Sequence, residues 1–224
     1  MTKLDLTGVI KPVKPEVHTL PEYLELCKTD PSMYASPHER LLKAIGEPEL
    51  VDTRKEPRLG RLHNNGHIRV YSTFNDFFGL ETVIDKIVSF LKYASQGLEE
   101  RRQILYLLGP VSGGKSQLTE RLKQLMAKEP FYALAVANAK TGKIEISPIQ
   151  ENPLGLFKPE YADKLGIPAR YLTGVYSPWA EKRLVDLDYD LAKFKVVRIY
   201  PDERKLIAIS KTEPGDENNQ DISS

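Results

Sequence analysis

The chain has 224 residues, 41% of them apolar and 28% charged, with a net charge of +1. That length suits one large domain or a small one plus a larger one, and the near-neutral balance favours neither a nucleic-acid nor an anionic-membrane partner. Cys27 is the only cysteine, which excludes an internal disulfide and a cysteine metal cluster and fits a reducing cytoplasm.

Met1 to Val17 mixes lysines, aspartate and prolines without an apolar centre, so it reads as a loose arm and not as a signal peptide. No run approaches the ~18 apolar residues of a membrane span. Thr19-Leu20-Pro21-Glu22 is a capping box that opens a short helix through Leu26. Ser36-Pro37-His38-Glu39 is a second, with proline where its missing N–H costs nothing, and that helix ends at Gly46. Val51 to His67 is polar and carries Pro57, Gly60 and Asn64-Asn65-Gly66, which predicts a loop or weak hairpin. Leu80 to Ala94 holds the strongest helical pattern: Leu80, Val83, Ile84, Ile87, Val88, Leu91 and Ala94 make one apolar stripe. Gly97 suits its C-terminal stop.

Gln103 to Leu108 reads as a buried strand, and Lys115 to Met126 as a helix. Between them, Gly109-Pro110-Val111-Ser112-Gly113-Gly114-Lys115-Ser116 fits G-x-x-x-x-G-K-[ST], the phosphate-binding P-loop. A chance match in a chain this long is on the order of one in a hundred. Strand, glycine loop and helix in that order is what the chemistry requires. The first helical turn offers unpaired N–H groups and the positive end of the dipole to a polyphosphate. Gly109 and Gly113 permit backbone that a side chain would block, and Gly114 permits close approach. The N–H groups through Gln117 would form an anion nest, Lys115 would reach the β- and γ-phosphates, and the Ser116 hydroxyl would ligate Mg²⁺. The expected ligand is therefore the triphosphate of a nucleotide with its Mg²⁺. The competing reading is a glycine turn beside an exposed lysine.

Further on, Phe131 to Ala137 predicts an interior strand, Thr141-Gly142 a turn and Lys143 to Ile146 a short return strand. Pro148 to Pro159 reads as loop. Ser177-Pro178 opens a helix from Trp179 to Leu187, with Trp179 expected to be buried. Phe194 to Tyr200 and Leu206 to Ile209 read as strands around an Asp202-Glu203 turn, and the end from Thr212 is polar and acidic. The pattern stops without a closing element, which suggests the front part of a longer protein. The organisation expected is an arm and small helical region over 1–70, then a partial nucleotide-binding domain over 71–224.

The loop opens Gly-Pro, as in AAA+ ATPases, and Phe78-Gly79-Leu80 opens the amphipathic helix thirty residues earlier. This resembles the AAA+ segment that wraps adenine with a glycine turn and an apolar residue; a hydrophobic staple is the alternative. More specifically, the chain resembles the PrkA-type bacterial serine protein kinases with an AAA+ domain. Glu39 to Pro48, Gln96 to Glu100, Gln103 to Ser116, Ser177 to Ala180 and Lys211 to Ile222 carry the likeness, above all Thr212-Glu213-Pro214-Gly215-Asp216-Glu217-Asn218-Asn219-Gln220-Asp221. The resemblance implies a three-layer α/β sandwich with a mainly parallel, here incomplete, sheet. It also implies transfer of the ATP γ-phosphate to protein serine or threonine in the full-length family. The alternative is an oligomeric remodelling or regulatory ATPase, with this chain a binding-only fragment. Ser112 stands where many members have glycine, and Ala139 to Ile146 departs from the family pattern.

Turnover also needs an acid-tipped apolar strand for Mg²⁺ and water. Val196 to Glu203 is the candidate, but Arg198 and Pro201 interrupt it, so a turn with solvated carboxylates is the better reading. No H-R-D or D-F-G set occurs, and the catalytic residues stay unassigned. His63 and His67 have i, i+4 spacing without a helix between them, which argues against a metal pair. Arg170, Arg183 and Arg198 read as surface arginines. An unfinished sheet would leave an open edge and exposed apolar surface, so self-association is expected. The protein substrate is not legible.

Overall fold

A computed structural model describes residues 16–201 apart from 56, 64, 65, 111, 112, 139 and 140. The N-terminal arm, the Asp202-Glu203 turn, the expected strand at 206–209 and the acidic end lie outside the described residues. In chain order the elements are β1 (Val17–Thr19), α1 (Leu20–Thr29), α2 (Pro37–Ile45), β2 (Glu49–Asp52), α3 (Pro57–Leu62) and β3 (His67–Val70). Then come α4 (Glu81–Ser95), α5 (Lys115–Lys128), β4 (Phe131–Ala137), β5 (Ile144–Ile146), α6 (Ala162–Leu165), α7 (Pro178–Asp186) and β6 (Phe194–Ile199).

Both capping boxes form as their sequences require. The Thr19 hydroxyl accepts the Glu22 amide at 3.3 Å while the Thr19 amide donates to the Glu22 carboxylate at 2.7 Å. Ser36 and Glu39 repeat the exchange at the same distances. Each cap satisfies N–H groups that the helix cannot, an effect of about 1 kcal/mol per cap. The polar stretch after Gly46 forms a hairpin, β2 against β3, antiparallel with Glu49 opposite Val70. Its connection contains α3, a six-residue helix that Pro57, Gly60 and Gly66 of that segment did not predict.

The chain divides into two compact units. One joins the residues up to Met33 with Tyr132–Ile199. Its sheet runs β1-β6-β4-β5, with β1 antiparallel to β6 and β4 antiparallel to β5. The apolar run of β4 is buried from Ala133 to Val136, as an interior strand requires. Leu154, Ile167, Leu172 and Phe194 close this core. The Pro148–Pro159 stretch is thus less loose than its composition suggests: a 3-10 turn, Pro153–Leu156, buries Leu154 completely.

Glu151 ties the unit together. Its carboxylate accepts from the Ser147 hydroxyl at 2.7 Å, the Ser177 hydroxyl at 2.6 Å and the Ser177 amide at 2.8 Å. Its carbonyl accepts from the Leu134 amide at 2.9 Å. Ser177 caps α7 by accepting the Ala180 amide at 3.2 Å. Trp179 is half-buried, not enclosed, because its indole N–H reaches the Glu145 carboxylate at 3.1 Å, beside Arg183 at 2.9 Å. Arg198, the residue that broke the apolar run of β6, pairs with Glu16 at 2.9 Å.

The other unit is built on Tyr34–Phe131. Helices α2, α4 and α5 enclose Leu41, Ile45, Ile84, Leu91, Leu118 and Leu125. Burying side chains of this size contributes about 1.5–3 kcal/mol each. The stripe on α4 is buried from Ile84 to Ala94 as its spacing predicts, while Val83 is 41% exposed and Leu80, just before the helix, is half-buried. Lys43 and Arg40 of α2 hold Glu129 at the end of α5, through its carboxylate at 2.9 Å and its carbonyl at 3.3 Å.

Two expectations need correction here. Gln103 to Leu108 is not a paired strand; it follows a 3-10 turn, Glu99–Arg102, as chain without a ladder. Nor is it buried: Ile104 is 90% exposed and Leu108 72%. A strand forms only against a partner backbone, and none of the described strands lies beside this segment. The strand pairings whose direction is fixed are antiparallel. The segment leaves apolar side chains exposed.

Candidate functional site: the glycine loop

The loop closes on its own lysine. Helix α5 starts at Lys115, and its N-cap is Gly114, at φ 79°. A side chain at that left-handed position costs about 1–2 kcal/mol, so glycine is what lets the chain turn directly into the helix. The Lys115 ammonium donates to the carbonyls of Gly109 and Pro110, at 2.7 Å each. The Pro110 carbonyl also accepts the Gly113 amide at 3.1 Å. These three hydrogen bonds draw the loop into a ring around the lysine Nζ.

Gly113 is required for a different reason. A Cβ there would lie 2.9 Å from the Pro110 oxygen and 3.5 Å from the proline ring. A methyl group there would run into the loop's own backbone. At the start of α5, the first-turn amides have no intrahelical acceptor. Ser116 and Gln117 stand exposed on that turn. Val111 and Ser112 lie outside the described residues.

The segment before α4 comes to the same place. Leu80 packs against the loop: its Cδ1 would be 3.2 Å from a Cβ on Gly114. Gly79, at φ 78°, makes the turn into α4, and Phe78 is 65% exposed beside it. Arg121, one turn and a half into α5, fixes the approach to this turn. It donates to the Thr73 carbonyl and to Asp76 at 2.6 Å, and its guanidinium lies 5.5 Å from the centre of the Phe77 ring. One helix therefore carries the glycine loop at its N-terminus and holds the Phe78-Gly79-Leu80 turn from its side. A cavity of about 500 Å³ lies between Leu80, Val83 and Ile87 on one side and Gly109, Gly114 and Lys115 on the other. Its size is that of a small-molecule pocket.

All the candidate positions read from the sequence, Gly109, Gly113, Gly114, Lys115, Ser116 and Gln117 with Phe78, Gly79 and Leu80, lie in this one region. Sequence reasoning passed over Arg121 and Glu81 and weighed His63 only as a metal ligand, yet all three brace it. Their partners lie eighteen to forty-eight residues away in the chain, at spacings that no local pattern reports. His67 stands on β3 and His63 beyond α3; among the described residues no three His, Cys, Asp or Glu gather to hold a metal. Arg183 and Arg198 are occupied by carboxylates, while Arg170 stacks 4.7 Å from the Tyr171 ring. Among the described residues no helix is long and apolar enough to cross a membrane.

A helix capped by left-handed glycine and a lysine gathered into the loop before it are the marks of a P-loop protein. The PrkA AAA domain model matches residues 18–224, and the chain belongs to that family. It is 54% identical over 215 residues to the serine/threonine kinase YeaG of Escherichia coli (strain K12), covering 94% of this chain and 32% of that protein. It is 32% identical over 214 residues to the ATP-dependent protease PrkA of Bacillus subtilis (strain 168), covering 91% of this chain and 30% of that one. The chain thus spans about a third of the length of these curated relatives. No solved structure matches it significantly.

Proposed function

We propose that this chain is the Mg-ATP-binding module of a PrkA-like serine protein kinase that acts in the cytoplasm. The observation that carries the reading is the Lys115 ammonium, held at 2.7 Å by two carbonyls of its own loop. A cation kept in that ring by neutral acceptors is ready to exchange them for anionic ones, and charge-assisted bonds are about twice as strong as neutral ones. The bend is tight enough that a Cβ on Gly113 would meet the Pro110 carbonyl, so only glycine lets the loop keep this closed shape at the helix start. Gly109, Gly113, Gly114, Lys115, Ser116 and Gln117 would hold the phosphates, Ser116 would supply a Mg²⁺ ligand, and Phe78, Gly79 and Leu80 would receive the adenine. Bound Mg²⁺ would supply charge neutralisation across the phosphates. The unladdered segment before the loop would take its place in a mainly parallel sheet of a three-layer AAA+ core.

Transfer of the γ-phosphate to protein serine or threonine is proposed for the full-length protein. Its support is the relative named a serine/threonine kinase. The second relative is named an ATP-dependent protease, which favours an alternative: an ATPase that works as an oligomeric remodelling or regulatory machine. Both readings share the ATP site and differ in its use. Incubation with γ-labelled ATP and candidate proteins, beside light scattering with and without Mg-ATP, separates them. Phosphoprotein that disappears with Lys115→Ala supports the kinase. A nucleotide-dependent oligomer without phosphoprotein supports the machine. For this chain alone we expect little transfer, since it carries no recognisable acid–base set. Absence of any Mg-ATP binding would sink both readings.

A further inference from the structure

His63 lies outside every motif read from the sequence, yet it is one of the better-held side chains near the candidate site. Its side chain is 11% exposed, and that of its partner, Glu81, 10%. Its Nε2 lies 3.3 Å from Glu81 Oε2. A carboxylate only accepts, so Nε2 carries the proton of this bond. On the other edge of the ring, Nδ1 is 3.5 Å from the Thr82 hydroxyl. The second oxygen of Glu81 accepts the Gly79 amide at 3.1 Å. One carboxylate therefore connects the imidazole to the backbone of the turn that carries Phe78 and Leu80.

The imidazole is itself fixed from behind. The His63 amide donates to the Leu59 carbonyl of α3 at 2.9 Å, and its carbonyl accepts the Gly66 amide at 3.2 Å. The Gly66 carbonyl in turn receives both the Thr53 amide at 3.0 Å and the Thr53 hydroxyl at 2.8 Å. Thr53 is fully buried. The hairpin of β2 and β3, with α3 in its connection, thus provides a fixed point from which His63 acts on Glu81. A polar link that ends on the amide of a left-handed glycine controls where that turn points.

We propose that His63 is a positioning residue for the base end of the nucleotide site, acting through Glu81 on the Gly79 turn. The inference rests on the ATP-binding reading above and adds a residue and a division of labour to it. Lys115 and the glycine loop govern the phosphates. The His63–Glu81 link governs the purine, by holding Phe78 and Leu80 in the orientation that receives it. Without the link, the Glu81 carboxylate turns to water and the Gly79 amide loses its acceptor, while the glycine loop is untouched.

The test is calorimetry on the full chain with two probes, ATP and inorganic tripolyphosphate, which has the phosphates and no base. His63→Ala should weaken ATP by about five- to tenfold, the scale of one lost ordinary hydrogen bond, because the residue acts on the base only through Glu81, and leave tripolyphosphate unchanged. His63→Gln, whose amide N–H can still reach Glu81, should restore most of the ATP affinity. Lys115→Ala should weaken both probes. Equal affinity of wild type and His63→Ala for ATP overturns the inference, and so does parallel weakening of both probes, which would mark a merely structural role. Failure of Gln to rescue overturns it as well. If wild type binds neither probe, the nucleotide reading itself falls, and this inference with it.

Discussion

Gly113→Ala separates the function of the glycine loop from the stability of the fold. Gly113 does not occupy the left-handed region, so alanine can adopt its backbone angles. The conformational part of the substitution is then mildly favourable, about 0.4–1 kcal/mol through the unfolded chain. Against this stands one steric contact: the new Cβ would be 2.9 Å from the Pro110 oxygen. Unstrained contacts between heavy atoms lie near about 3.5 Å, so the carbonyl must retreat by roughly half an ångström. That oxygen holds both the Lys115 ammonium and the Gly113 amide. A binding site tolerates displacements only up to about 0.5 Å before affinity falls. We expect ATP affinity to drop about tenfold or more, which is about 1.4 kcal/mol. The urea unfolding midpoint should correspond to a change of less than about 1 kcal/mol, because gain and clash oppose each other. Calorimetric titration with Mg-ATP, beside urea denaturation followed by circular dichroism, measures both quantities. Wild-type affinity with unchanged stability would refute the reasoning, since the inner face of the bend would then have no role.

Other substitutions test neighbouring parts of the account. Gly114→Ala places a side chain at φ 79° and 3.2 Å from Leu80 Cδ1; it should lower stability by about 1–2 kcal/mol, read by urea denaturation, and weaken ATP too. Glu151→Ala removes the acceptor of three hydrogen bonds from Ser147 and Ser177 and should destabilise its unit by about 2–4 kcal/mol, with ATP affinity preserved if that unit unfolds independently of the loop. Burial pushes the Cys27 thiol from 9.0 up to about 11, so the folded state favours the protonated form. Its contribution is complete below pH 9 and lost as pH rises through about 11; Cys27→Ala should lack that part of the alkaline loss in urea stability, about 2 kcal/mol.

The elements that could be read from the sequence are those whose cause is local. Two capping boxes, the α4 stripe and the glycine loop each lie within a few turns of chain, and each forms where its residues require it. The family resemblance was legible for the same reason, in contiguous segments, and the match over residues 18–224 bears it out. What failed was pairing. Gln103 to Leu108 has the composition of a buried strand, but composition does not supply a neighbouring backbone, and the segment stands exposed. The same limit hid His63, Glu81 and Arg121. Their roles come from contacts made across the unit, and each looked like an ordinary polar residue in its own stretch. The sequence also overstated the burial of Trp179, whose N–H finds Glu145 at the surface. Glu151 looked like one more charge in a proline-rich loop, although it joins β4 to the start of α7.

The central claim is that Lys115, at the start of α5, binds the phosphates of ATP. Titration of the wild-type chain and Lys115→Ala with Mg-ATP tests it most directly. The Lys115 side chain lies over its own loop and outside the buried core, so the variant should keep its fold and its unfolding midpoint. Loss of a charge-assisted contact of about 1.5–3 kcal/mol predicts a fall in affinity of about ten- to a hundredfold. Equal affinities of the two folded proteins would contradict the account.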